Sequence, residues 1–296
     1  MTRIDSAALT TRRITEPDAV SVAWAARRRR SPLSDDGRLL LIAADHPARG
    51  ALAVRDDARA MASRPVLLER LATALQRPGV DGVLGTPDVL EDLLLSGLLH
   101  DKVVIGSMNR GGLQGAVFEL DDRFTAYDAD GIAANGLDGG KMLTRIALDE
   151  PGTAPTLEAS GAAVTALARH GLLAMVEPFM TVRSSPNRVD NLLDPDSVID
   201  SIHIAAGLGA TSAHTWLKLP VVAEMDRVLD ATTLPCLLLG GDPKGDPCDT
   251  YVEWGRALTH SSAAGLVVGR ALLFPPDGDV ASAVDAAAAL VHGGTR

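Results

Sequence analysis

Aromatic side chains are scarce in this chain of 296 residues: four Phe, three Trp and two Tyr, 3% in all. So few flat faces offer little platform for stacking a ring, which favours an open-chain small molecule. Cysteine is also sparse. Cys236 and Cys248 are the only two, too few for a disulfide framework and in keeping with a reduced, cytoplasmic protein. No apolar stretch approaches the roughly 20 residues of a membrane span. The start, Met-Thr-Arg-Ile-Asp-Ser, has no apolar core behind its charges and does not read as a signal peptide. Positive charge is in deficit: 28 Lys and Arg against 38 Asp and Glu, a formal net charge of −10. That argues against nucleic acid as a partner but leaves room for an anionic small molecule in a locally basic pocket. Neither His-x-His nor His-Glu-x-x-His occurs among the seven histidines, so no metal site and no cofactor are expected.

What the chain does have is a repeat of alternating elements. Short aliphatic runs at 38–44, 80–85, 102–107, 141–147, 172–178, 215–219, 235–240 and 265–269 read as strands. Helical patterns lie between them near 55–76, 87–99, 123–135, 155–169, 195–208, 223–231 and 249–260, with one more at 279–291. Eight strand–helix units at the roughly 30-residue spacing of a βα repeat predict a closed (β/α)8 TIM barrel, an α/β fold, over 38–296. Residues 1–37 form an N-terminal extension with one expected helix near 17–30, covering the bottom or side of the barrel. The basic run Arg27 to Arg30 reads as the last turn of that helix, where cations complement the dipole. A homo-oligomer is expected, as is usual for such barrels.

Three of these strands carry an ionisable residue that an apolar strand has no packing reason to hold. Lys218 is the only charge in Thr-Trp-Leu-Lys-Leu-Pro-Val-Val, Lys141 opens Lys-Met-Leu-Thr-Arg-Ile-Ala-Leu, and Glu177 interrupts Leu-Leu-Ala-Met-Val-Glu-Pro-Phe. A buried lysine is costly unless it is neutral, paired or chemically employed. Alternation puts Lys218 on the inward face with Trp216, and Leu217 with Leu219 on the helix side.

Two lysines and a carboxylate in one barrel suit imine chemistry. A nucleophilic amine must lose its proton near neutrality, although a free lysine titrates near about 10.4. Desolvation of Lys218 and the charge of Lys141 both push that value down, and Glu177, on the strand between them, is placed to move protons. Structural alternatives remain open at this point. Lys218 could reach solvent, Lys141 could pair with Asp138 or Asp149 at the strand's beginning, and Glu177 could bond only backbone groups.

Barrel function sits at the C-terminal ends of the strands. The first strand ends in Ala-Ala-Asp-His-Pro-Ala-Arg-Gly-Ala-Leu, which brings Asp45 and Arg49. The seventh ends in Gly-Gly-Asp-Pro-Lys-Gly-Asp-Pro and the eighth in Val-Gly-Arg-Ala. Gly240, Gly241, Gly269 and Arg270 are therefore candidates for a phosphate cradle. Arg49 and Arg110 are candidates for a second anionic group.

This ordered set resembles the class I aldolases of the DeoC/LacD type, which include tagatose-bisphosphate and sulfofructose-phosphate aldolases. The resemblance runs over roughly 39–272. It implies a Schiff base on Lys218 in Leu-Lys-Leu-Pro, an active-site lysine at Lys141, an acid at Glu177 in Glu-Pro-Phe, and acidic and basic roles for Asp45 and Arg49. It implies a lyase of carbohydrate metabolism acting on a phosphorylated sugar without a metal. Two departures stand out. His46-Pro47-Ala48 replaces a single glutamine. Lys244 lies where deoxyribose-phosphate aldolase carries a lysine that assists the imine, so Lys141 and Lys244 compete as helper. The whole chain also looks like an actinobacterial (β/α)8 group associated with inositol catabolism, which implies 2-deoxy-5-keto-gluconate 6-phosphate as substrate. Two other readings compete: a non-catalytic sugar-phosphate-binding barrel, and a barrel isomerase using Glu177 as base.

Overall fold

Runs such as Leu39–Ala43, Leu-Leu-Leu-Ile-Ala, are apolar at every position because both faces are covered, as in a parallel sheet wrapped by helices. The computed structural model describes residues 4–33, 36–110, 112–241 and 247–293. Its strands are β1 (Leu39–Ala43), β2 (Gly82–Gly85), β3 (Val103–Ser107), β4 (Gly139–Ile146), β5 (Leu173–Ser185), β6 (Arg188–Asn191), β7 (Thr215–Pro220), β8 (Cys236–Leu239) and β9 (Ala263–Val268). All but β6 pair in parallel in the order β4-β3-β2-β1-β9-β8-β7-β5, and a β4–β5 pairing closes the ring. This is the expected (β/α)8 barrel. The helices are α1 (Ser6–Thr15), α2 (Ala19–Ala26), α3 (Arg64–Leu75), α4 (Pro87–Leu95), α5 (Ala129–Ala134), α6 (Thr153–Arg169), α7 (Pro195–Ala206), α8 (Met225–Leu229), α9 (Pro247–Ala257), α10 (Arg270–Leu273) and α11 (Val280–His292).

Two apolar layers follow from strand alternation. Leu40, Ile42, Leu217 and Leu219 face outward into the layer shared with the helices. Leu39, Leu41, Ile105, Met175, Leu237 and Val267 fill the barrel's interior. That plug occupies the lower barrel, so polar residues further along the same strands gather at the C-terminal mouth. Among the described residues, no helix is long and apolar enough to cross a membrane.

Three expectations are corrected. The N-terminal extension holds two helices. The extra one, α1, is capped by the Asp5 side chain, which accepts from the Ala7 and Ala8 N–H groups. None of its residues is fully buried and only Leu9 packs partly against the core, a weak signal by which to read a helix. It is held to α4 by Arg13, whose guanidinium lies 3.1 Å from Glu91 and 3.0 Å from Asp92. Second, α2 stops at Ala26, and Arg27 to Arg30 form no helical turn. They clamp the extension across the N-terminal face of the barrel: Arg27 and Arg29 on Asp138, Arg28 on Asp101, and Arg30 on Asp81. Third, β5 continues past Pro178 to Ser185 and turns back as antiparallel β6, so a hairpin rises from the mouth.

Candidate functional site

Alternation along β4 sends Lys141, Leu143 and Arg145 inward. The same rule sends Glu177 and Phe179 of β5, and Lys218 and Pro220 of β7, into one cavity. Asp45, His46 and Arg49 enter it from the turn after β1, Arg110 from the loop after β3, and Gly240, Gly241, Gly269 and Arg270 from the ends of β8 and β9. Its volume is about 610 Å³, within the usual size of a small-molecule site.

At its floor a carboxylate bridges two lysines. Glu177 Oε1 lies 2.8 Å from Lys218 Nζ, and its Oε2 meets Lys141 Nζ. Lys141 Nζ also donates to Asp45 Oδ2 at 3.2 Å. The same oxygen takes Arg110 Nη2 and the Ser107 hydroxyl, and Arg110 Nε donates to Ser107 Oγ at 2.8 Å. Asp45, Lys141 and Lys218 are at most 3% exposed and Arg110 and Glu177 8%, so the chain Arg110–Asp45–Lys141–Glu177–Lys218 is buried at the base of the cavity. Three cations there face two carboxylates, one positive charge in excess. The particular local contacts considered above are not the ones made: Lys141 pairs inside the mouth, Lys218 is buried, and Glu177 meets side chains.

The electrostatics follow from this packing. Burial opposes ionisation of Glu177, but Lys141 and Lys218 outweigh it and pull its pKa to about 2. Burial likewise works against Asp45, and Arg110, Lys141 and Lys218 overcome it, holding its carboxyl well below the ordinary value. For Lys141 burial wins over both carboxylates and lowers the pKa to about 8.

A second charged layer lies above. Arg145 grips Asp122 with two nitrogens at 2.8 Å each and reaches Glu119 Oε1 at 3.2 Å. Arg49 Nε donates to Gly112 O at 3.0 Å, while its Nη2 stops 3.9 Å short of Glu119. Burial and the neighbouring Arg145 lower Arg49 to about 10, so it stays charged near neutrality. On the opposite wall, Gly269 is pressed so closely that a Cβ there would lie 2.4 Å from Ala43 O. Gly241 has a φ of 60°, a left-handed backbone that favours glycine.

The structure thus brings together Asp45, Arg49, Lys141, Glu177, Lys218, Gly240, Gly241, Gly269 and Arg270. Lys244 falls outside the described residues. Arg110, considered for an anionic group, is instead committed to Asp45 and Ser107. Sequence reasoning missed Arg145, although it shares the inward parity of Lys141. It also missed Glu119 and Asp122, whose loop has no periodicity to read.

Comparisons with known proteins agree with this architecture. The Cgl0159-like family pattern matches residues 37–288. The crystal structure of Cgl0159 from Corynebacterium glutamicum is 56% identical, covering 97% of this chain and 96% of that one, with a TM-score of 0.94. A Schiff-base-forming fructose-1,6-bisphosphate aldolase is 18% identical over 92% of this chain and 100% of its own, at TM-score 0.65. The fructose-bisphosphate aldolase from Slackia heliotrinireducens is 16% identical over 98% and 93%, at TM-score 0.59. At such identity the two aldolases share the fold with this chain. No curated protein sequence matches it. Matched along most of its length, and more than half identical to Cgl0159, this protein belongs to the Cgl0159-like family.

Proposed function

We propose that this protein is a metal-independent class I aldolase that reversibly cleaves a phosphorylated sugar through an imine on Lys218. The observation that carries the reading is the Glu177 carboxylate held between two buried lysines at the mouth of the barrel. A binding protein has no need of that arrangement. An isomerase would need only the carboxylate.

In this scheme Lys218 gives up its proton to Glu177 and attacks the substrate ketone; Glu177 returns that proton to the carbinolamine hydroxyl, which departs as water and leaves a protonated imine on Lys218. Glu177 then takes the proton from the hydroxyl beyond the scissile bond. The carbon–carbon bond breaks, an aldehyde departs, and its electron pair is held as an enamine on Lys218. Protonation of the enamine and hydrolysis release the ketone. Lys141, tied to both carboxylates, keeps positive charge beside the reacting oxygen, and Asp45 fixes Lys141. Gly240, Gly241, Gly269 and Arg270 would receive the phosphate on the wall nearest Lys218, and Arg49 faces the far side of the cavity.

One point favours Lys141 as nucleophile instead: burial lowers its pKa to about 8. Its two carboxylate partners argue the other way, since a neutral Lys141 would forfeit two charge-assisted bonds and Lys218 only one. The fold shared with aldolases that bind substrate through a catalytic lysine agrees with an imine.

The test is release of dihydroxyacetone phosphate from ketose mono- and bisphosphates. Cleavage of 2-deoxy-5-keto-gluconate 6-phosphate should be followed in parallel by its own products. Activity should persist in EDTA and fall at least about a thousandfold in Lys218→Ala. Activity that disappears in EDTA and returns with zinc overturns the reading.

A further inference from the structure

Asp45 uses only one of its two oxygens in the network described above. Arg110, Ser107 and Lys141 all reach Oδ2. Its Oδ1 faces His46 Nδ1 at 3.9 Å, a short movement away from a hydrogen bond. That Nδ1 is buried with no hydrogen-bond partner, an unfavourable state for a ring nitrogen. The rest of the ring borders the cavity, with 24% of the side chain exposed.

The ring is held in place on both sides. Pro47 and the short turn His46–Arg49 set its backbone. Gly269 passes so near that a Cβ there would come within 3.0 Å of His46 Cε1. The imidazole is thus wedged between the Asp45 carboxylate and the wall assigned to phosphate. Burial, reinforced by Arg270 and Lys218 against the pull of Asp45, lowers its pKa to about 3 and keeps it neutral. With its proton on Nδ1 turned toward Asp45, a neutral ring presents the Nε2 lone pair as an acceptor.

We propose that His46 is a substrate-positioning residue whose Nε2 accepts a hydrogen bond from a hydroxyl on the carbon next to the imine carbon. The inference rests on the aldolase reading and adds a substrate class to it. The preferred ketone half is a hydroxylated ketone phosphate rather than its deoxy counterpart. A ligand without that hydroxyl leaves the Asp45–His46 pair unmatched at the wall of the cavity, and sites built to hydrogen-bond a hydroxyl discriminate well against analogues lacking the group.

The experiment compares borohydride trapping of dihydroxyacetone phosphate and of hydroxyacetone phosphate, which lacks the hydroxyl, read as added mass on the Lys218 peptide. The wild type should prefer the hydroxylated ketone by about tenfold, the worth of one well-made hydrogen bond. His46→Ala should lose that preference, and His46→Gln, which retains a neutral acceptor, should recover most of it. An unchanged preference in His46→Ala overturns the role of His46 while leaving the imine intact. Equal loss in both variants marks a packing role and overturns it too. If the wild type traps neither ketone, this inference fails, and the aldolase reading fails with it only when other aldehyde and ketone donors also leave no adduct.

Discussion

Replacing Glu177 by Gln removes the one charge that both lysines share, with little change of shape. At the 2.8 Å separation from Lys218 and an effective dielectric of about 20, each ammonium loses an attraction of about 6 kcal/mol before desolvation is counted. The net loss is smaller because a lysine can shed its proton. Breaking a buried pair by removing one partner costs about 3–5 kcal/mol. The carboxylate's own displacement, from 4.5 to about 2, corresponds to about 3 kcal/mol at neutral pH. The two routes agree.

The sign of the pH dependence is a sharper test. Lys141 has a folded pKa below its unfolded value, so the unfolded chain binds the extra proton and this group makes stability rise with pH. In the wild type that rise begins near 8 and ends near 10.5. Without Glu177 it begins lower. Urea unfolding of Glu177→Gln should therefore show a deficit of about 3–5 kcal/mol near pH 6 that narrows toward about pH 8. A deficit under about 1 kcal/mol, or one flat across that range, refutes the picture of two lysines charged through Glu177.

Two further outcomes follow from other parts of the molecule. Arg27→Ala leaves the buried Asp138 at the N-terminal face with the exposed Arg29 as its one remaining cation among the described residues, beside the Val104 N–H, and strips donors from Lys102 O and Gly136 O. It should lower stability by about 3 kcal/mol in urea unfolding while leaving kcat unchanged, because that face of a barrel serves stability. Gly269→Ala drives a Cβ against Ala43 O and the His46 ring. It should raise KM for a phosphorylated substrate by about tenfold or more, with thermal unfolding confirming a folded protein.

Much of this was legible because the barrel writes itself as alternation. Seven of the eight parallel strands were placed within two residues at either end, and β5 at its start, since each barrel segment is an aliphatic run buried on both faces. Lys141, Glu177 and Lys218 stood out for the same reason: a charge inside such a run has no packing role. What escaped had no periodic signature. The α1 helix sets only Leu9 partly against the core, so its sequence Ser-Ala-Ala-Leu-Thr-Thr-Arg-Arg-Ile-Thr offers little to read. Arg27 to Arg30 pair with aspartates more than fifty residues away, and local reading sees only a basic run. Glu119 and Asp122 reach Arg145 from a loop, where position depends on tertiary contact. The β5–β6 hairpin hid behind Pro178, which resembles a strand end but sits within a strand still paired to β4.

The imine itself is the claim on which the rest depends. Incubating the wild type with dihydroxyacetone phosphate, reducing with borohydride and mapping the added mass by peptide would test it directly, with Lys218→Ala and Lys141→Ala alongside. The account predicts an adduct on the Lys218 peptide that persists in Lys141→Ala and vanishes in Lys218→Ala. An adduct on Lys141 would contradict the assignment of the nucleophile. No adduct with dihydroxyacetone phosphate, nor with other aldehyde or ketone donors such as malonic semialdehyde, would contradict Schiff-base chemistry in this barrel.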